Sequence, residues 1–234
     1  DGDCPTTCAA DNTCQSGTLT GSADTCDAQC VYTLVTACTA GDLCCPDGCT
    51  GESDSDCLEV DILVGPFLQH AQPESITISW ETDSGTDSRV DWGTSDALGS
   101  TTRATGDSSA TGTHMHEVGL TGLTPNTRYF YRVSTGGALS NVYDFITPPT
   151  RDSEQNFRLV AMSDMQRSSS NPNKFHEVIH DGVIDHITHT HSEDIPAEVG
   201  FVLVPGDLVD DGWQYQEWAE TFFEPAHDLM ARVP

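Results

Sequence analysis

The chain has 234 residues, ten cysteines and a formal charge of -28 at pH 7, with 37 acidic residues set against nine basic ones. That length suits one large domain or two to three small ones, and a field of that sign repels phosphate backbones and anionic lipid, which argues against nucleic-acid and membrane-surface binding. No apolar run approaches the ~20 residues that span a bilayer, and no positively charged apolar leader opens the sequence, so any signal peptide is expected to have been removed. Solubility is the plain reading of the acidity, and attraction of calcium by Asp clusters is the alternative.

All ten cysteines fall between Cys4 and Cys57, at positions 4, 8, 14, 26, 30, 38, 44, 45, 49 and 57, and the first basic residue of the chain is Arg89. Such density rarely persists as free thiols in a reducing cytosol, so residues 1–58 read as a small disulfide-rich module of a secreted, extracellular protein. Between the cysteines stand Gly, Ser, Thr and Asp, too little apolar surface to fold unaided. Five disulfides are expected, in a pairing that sequence leaves open among roughly 945. Zinc is a rival, because Cys4-x3-Cys8 and Cys26-x3-Cys30 have ligand-like spacing. Against it, the segment has no histidine and ten cysteines do not divide into complete four-ligand sites. The acidic ends Asp1-Gly2-Asp3-Cys4 and Asp54-Ser55-Asp56-Cys57 resemble those of calcium-binding secreted repeats, which makes calcium a candidate ion in this head, although the twelve-residue EF-hand loop is absent.

From residue 59 to 149 the pattern changes to period two. Ser75-Ile76-Thr77-Ile78-Ser79-Trp80-Glu81 places Ile76, Ile78 and Trp80 on one face of a strand, and Arg89–Gly93, His116–Leu120 and Arg128–Val133 continue the series. Short strands with turn chemistry between them predict an antiparallel sandwich. The run Leu120-x-x-Leu123-x-Pro125-x-Thr127-x-Tyr129 resembles fibronectin type III domains, in which the Leu packs beneath a turn and the Tyr hydroxyl ties back to backbone. Gly65-Pro66-Phe67-Leu68-Gln69 ahead of it and Tyr143-Asp144-Phe145-Ile146-Thr147-Pro148-Pro149 at its close look like the version that precedes purple-acid-phosphatase-type catalytic domains. His114 and His116 share a strand face and read as a solvated pair rather than a metal site.

In residues 150–234, Phe157-Arg158-Leu159-Val160-Ala161-Met162-Ser163 is a nearly continuous apolar run, as in a strand buried on both faces, and it ends in Asp164-Met165-Gln166. Phe175, Val178, Ile179, Val183 and Ile187 then recur at helical spacing between Asn173 and Thr190. A second apolar run, Phe201–Pro205, ends in Gly206-Asp207-Leu208-Val209-Asp210-Asp211-Gly212. Two such strands joined by a helix form a β-α-β unit and bring both acidic motifs to the carboxyl ends of neighbouring parallel strands, where open α/β sheets place their ligands. Two carboxylates meeting there call for a hard cation between them. This arrangement resembles the calcineurin-like metallophosphoesterases. The resemblance implies Asp164 as ligand of one metal, Asp207 as the carboxylate bridging two, and Gln166 as a weaker ligand where His or Gly is more usual. It further implies two divalent or trivalent ions (Fe, Zn, Mn or Mg) and hydrolysis of a small phosphate mono- or diester. Asp210 stands where purple acid phosphatases carry a Tyr, so no purple charge-transfer colour is expected.

His176-Glu177-Val178-Ile179-His180 also matches the His-Glu-x-x-His pattern of zinc proteases, with His186 at the place of a third ligand. Val183 stands where that family needs its bending glycine, and the flanking strands suit a phosphoesterase better. No further metal-ligand motif of the phosphoesterase family follows Asp211, so a longer enzyme is expected. The multidomain reading is therefore a disulfide module (1–58), an all-β fibronectin III-like sandwich (59–149) and the first β-α-β of a metallophosphoesterase domain (150–234). The non-enzymatic alternative is an extracellular interaction or structural protein, with self-association or a protein partner at the sandwich.

Overall fold

A computed structural model describes residues 5–8, 14–22, 24–42, 44–46, 49, 53–54, 57, 60–108 and 112–234. The chain divides into two compact units, residues 1–60 with 136–138, and residues 61–135 with 139–234. In the first unit, β1 (Gln15–Thr20) pairs antiparallel with β2 (Gln29–Leu34), from Gln15 opposite Leu34 to Thr20 opposite Gln29. Asp27 closes the connection between them by accepting the Ser22 N–H at 2.8 Å and the Thr25 hydroxyl at 2.6 Å. Disulfides join Cys8 to Cys30, Cys14 to Cys44, Cys38 to Cys49 and Cys45 to Cys57. Cys26 is also disulfide-bonded, and no described cysteine is free, so Cys8, Cys26 and Cys30 have no thiolate to offer zinc. Cys4 lies outside the described residues, as do Asp1, Asp3 and Asp56 of the calcium reading. Asp54 is 1% exposed, and its carboxylate accepts the Thr39 N–H at 3.0 Å, the work of a turn-forming side chain.

The second unit opens with the sandwich. One sheet runs β3-β4-β8-β7, from β3 (Ile62–Gln72), β4 (Ser75–Thr82), β7 (Asp107–Ser108) and β8 (His114–Thr121). The other runs β10-β9-β5-β6, from β5 (Asp87–Gly93), β6 (Ser100–Thr105), β9 (Arg128–Thr135) and β10 (Ala138–Leu139), with β11 (Tyr143–Ile146) also paired to β9. The alternating face of β4 is sealed: Ile76, Ile78 and Trp80 join Val90, Val118, Leu120, Tyr131, Val133 and Phe145 in one core. The turn before β9 is tied as expected, with the Tyr129 hydroxyl accepting the Thr124 N–H at 2.9 Å above buried Leu123.

His116 departs from the solvated pair read in the sequence. It is wholly buried, its ring stacked on Trp80 at 5.0 Å between centroids. The Thr82 hydroxyl donates to the Ser84 carbonyl at 2.7 Å, which leaves its oxygen to accept from His116 Nε2 at 2.7 Å, and the Ser88 hydroxyl donates to Nδ1 at 2.8 Å. With the ring neutral, this network places its proton on Nε2. Strand alternation explains the misreading: it assigns a face, and a polar residue on an inward face is buried when hydroxyls stand ready on the neighbouring strands.

Beyond the sandwich, β12 (Leu159–Ala161) pairs parallel with β13 (Phe201–Leu203), Val160 opposite Val202. Between them run α1 (Lys174–Glu177), a π-helical stretch Val178–Ile184 that holds Gly182, α2 (Asp185–Thr190) and the short α3 (Ile195–Glu198). After β13 come α4 (Tyr215–Glu217), a π-helical stretch Trp218–Phe223 and α5 (Glu224–Met230). Phe175, Ile179, Ile187, Phe222, Ala226 and Leu229 form a second core, against which Val160 and Val202 pack. Only that face of the strand pair is covered. Leu159 is 45% exposed and Leu203 52%, so among the described residues the helices supply one layer to this sheet.

Polar and ring contacts dock this segment on the sandwich. Tyr131, wholly buried, donates its hydroxyl to the Ala231 carbonyl at 2.8 Å. Arg128 grips both oxygens of Asp194, at 2.7 and 2.6 Å, and also pairs with Asp144, to which Arg232 donates at 2.7 Å. Phe67 meets Phe223 at 5.2 Å between ring centroids, and Tyr215 reaches Glu81 at 3.1 Å.

Candidate functional site

The two acidic loops meet. Met162 N–H donates to the Leu203 carbonyl at 3.1 Å, which carries the ladder one step past β12. The Ser163 hydroxyl then donates to the Gly206 carbonyl at 3.3 Å and the Gln166 N–H to the Asp207 carbonyl at 3.2 Å. Asp164 and Asp207 both adopt left-handed backbone, with φ of 58° and 52°. For a side chain with a Cβ that conformation costs roughly 1 kcal/mol, and Asp tolerates it better than most. A matched pair of such turns at the carboxyl ends of neighbouring parallel strands ends each strand sharply and leaves both Asp residues exposed at the same end of the sheet. Met165, 4% exposed, sits in the second core and anchors the first loop between its two polar neighbours.

Two further groups hold this end. The single lysine, Lys174 at the start of α1, donates to the Asp164 carbonyl. Asp211 in the second loop accepts from Gln214 Nε2 at 2.8 Å, while its own N–H donates to Glu217 at 2.8 Å, and Arg167 of the first loop lies 3.7 Å from the same Glu217. Sequence reading singled out neither Glu217 nor Tyr215. Both sit in an ordinary helical pattern, and their partners Arg167 and Glu81 are far away in the chain.

The fit of this end to a metal can be judged from its donors. Two exposed carboxylates are available, and Gln166 Oε1 is buried with no hydrogen-bond partner, a carbonyl oxygen open to a cation. Among the described residues, however, no three of His, Cys, Asp and Glu stand together as an ion's ligands. Asp164, Gln166 and Asp207 thus fit part of a hard cation's shell and do not complete one.

The His-Glu-x-x-His helix does not assemble the zinc-protease arrangement. His176 and His180 stack at 4.1 Å between centroids, but Glu177 is engaged by Asn171 at 3.1 Å and His186 faces His191 edge-on at 6.3 Å. A cavity of about 820 Å³ is lined by Pro148, Phe157, Pro196, Phe201 and Pro234, at the amino ends of β12 and β13 and so opposite the acidic loops.

Residues 65–147 match the family model described as the N-terminal domain of purple acid phosphatases, a stretch that coincides with the sandwich. Comparison with curated proteins gives no match. Among solved structures, PhoD is similar with a TM-score of 0.44 and 14% identity over 63% of this chain, which spans 28% of the PhoD chain. The sensor domain of the anti-sigma factor RsgI4 of Pseudobacteroides cellulosolvens is similar at a TM-score of 0.33 and 17% identity, over 42% of this chain and 99% of that one. The fn3 domain of human contactin 1 gives 0.31 and 17%, over 42% of this chain and 85% of that one. At these scores the structural likenesses bear no weight for function. The sequence match makes the sandwich a purple-acid-phosphatase-like N-terminal region.

Proposed function

We propose that the chain is part of a secreted, metal-dependent phosphoesterase in which Asp164, Gln166 and Asp207 provide ligands at one edge of a two-metal site, the remaining ligands coming from residues outside these 234. The observation that supports it most is the twin left-handed Asp residues at the carboxyl ends of β12 and β13, downstream of a purple-acid-phosphatase-type sandwich. Bound there, metal ions would supply charge neutralisation for a phosphate ester and a more acidic water. The chain's own residues hold the geometry: Met165 pins the first loop into the core, and the Gln166 N–H and Ser163 hydroxyl lash it to the second.

Turnover of an aryl phosphate by the longer protein tests this. Asp207→Asn is expected to lower kcat at least about hundredfold, roughly 3 kcal/mol of barrier. The His176→Ala/His180→Ala double variant should stay within about threefold of the wild type. Full activity in Asp207→Asn would sink the reading, and a hundredfold loss in the histidine variant would return the metal to the helix.

A further inference from the structure

We propose that Glu81, a residue of the sandwich, is a positioning residue for the second acidic loop, acting through a hydrogen bond to Tyr215. The inference rests on the reading of Asp207 as a ligand.

Glu81 lies on β4 beside Trp80 and is 5% exposed. Among the described residues no basic side chain pairs with it. Its carboxyl group instead accepts from two hydroxyls, those of Thr113 and Tyr215, the latter at 3.1 Å. A buried carboxylate without a countercharge depends on each donor it has, so losing one is costly and the position of Tyr215 is tightly set. Burial and the neighbouring Glu81 carboxylate push the Tyr215 phenol up to about 12, so it keeps its proton and remains the donor.

Tyr215 is the first residue of α4, directly after the second acidic loop, and that loop is tied to the helix start. Gln214 N–H donates to the Asp211 carbonyl at 2.8 Å, and Trp218 Nε1 donates to the Gly212 carbonyl at 2.8 Å. Glu217, two residues on, bonds the Asp211 N–H and faces Arg167 of the first loop. Fixing Tyr215 therefore fixes the origin of the helix from which both loops are held. The anchor belongs to the sandwich, 126 residues before Asp207 in the sequence (207 less 81), which gives that β-domain a part in the site despite contributing no ligand.

Amide hydrogen exchange on the wild type, Tyr215→Phe and Glu81→Gln tests the latch. Phe leaves Glu81 one donor short, and exchange at Asp211, Gln214 and Glu217 should quicken about tenfold while Val90 and Val133 in the sandwich core stay within about twofold. Gln, whose amide can accept from one hydroxyl and donate to the other, should rescue the loop to within about threefold of the wild type. Uniform quickening across sandwich and loop, or no change at 211–217, would overturn the proposal. Aryl phosphate turnover of the longer protein separates the two ideas. Quickening confined to the loop with no wild-type turnover would keep the latch and remove the reading of Asp207. Unchanged exchange with wild-type turnover would do the reverse. If both hold, Tyr215→Phe should raise the metal concentration for half-maximal turnover about fivefold or more while kcat at saturating metal changes less than about twofold.

Discussion

The head and the sandwich are both built of antiparallel strands, yet they hold together by different means. In the head, among the described residues, the buried apolar side chains are Ala28, Pro46 and the half-cystines at 44, 49 and 57. In the sandwich, twelve buried residues, among them Trp80, Tyr129, Tyr131 and Phe145, form one continuous core without a cysteine. The first restricts the unfolded chain by cross-linking it, and the second removes apolar surface from water. Residues 150–234 follow neither pattern fully. They have a core of their own around Ile179 and Leu229, but leave Phe157, Leu159 and Leu203 exposed and dock on the sandwich through Tyr131, Arg128 and Phe67.

Reduction breaks this comparison most sharply. A native disulfide in a small secreted domain contributes about 2–5 kcal/mol, so losing at least four at once should unfold the head completely. Near-ultraviolet circular dichroism from the sandwich aromatics should persist in the reduced protein. Loss of that signal on reduction would show that the second unit depends on the first.

Substitution in the sandwich core comes next. Trp80 is wholly buried and donates Nε1 to Thr135 at 3.0 Å, so Trp80→Ala should cost about 3–5 kcal/mol in urea unfolding. Trp213, 82% exposed, should lose no more than about 0.5 kcal/mol on the same change. Equal costs would contradict the assignment of Trp80 to the core and Trp213 to the surface.

A smaller effect belongs to His116. Burial lowers its pKa from 6.5 to about 4, against the opposing pull of Asp87 and with a little help from His114. The unfolded chain then binds the proton more readily than the folded one, so the stability from the neutral ring is fully present above pH 6.5 and declines as pH falls toward 4. The loss approaches about 3 kcal/mol. Urea midpoints at pH 7 and pH 4.5 should separate more for the wild type than for His116→Gln, and parallel shifts would assign the pH dependence to the carboxylates instead.

Much of the sandwich was legible because period-two alternation and the Leu-x-x-Leu-x-Pro-x-Thr-x-Tyr turn are local signals, and Ile76, Ile78, Trp80 and Tyr129 stand where those signals place them. Strand ends carrying Asp164 and Asp207 were legible for the same reason, since an apolar run that stops at a polar residue marks its own end. Which face of β12 and β13 the helices cover was not, because an apolar run carries no alternation to tell its faces apart. His116 was misread because its hydroxyl partners, Thr82 and Ser88, lie 34 and 28 residues away. Glu81 gave no sign at all: in the sequence it is the polar residue that ends an alternating strand, and only Tyr215, 134 residues on, gives it a role.

Metal content tests the central claim most directly. Elemental analysis of the purified longer protein should find about two ions per chain, falling to one or fewer in Asp207→Asn, whereas the 234-residue chain by itself should hold no stoichiometric metal. Two ions per chain in both Asp164→Asn and Asp207→Asn would contradict the account, because it would place the metal centre away from the loops that β12 and β13 bring together.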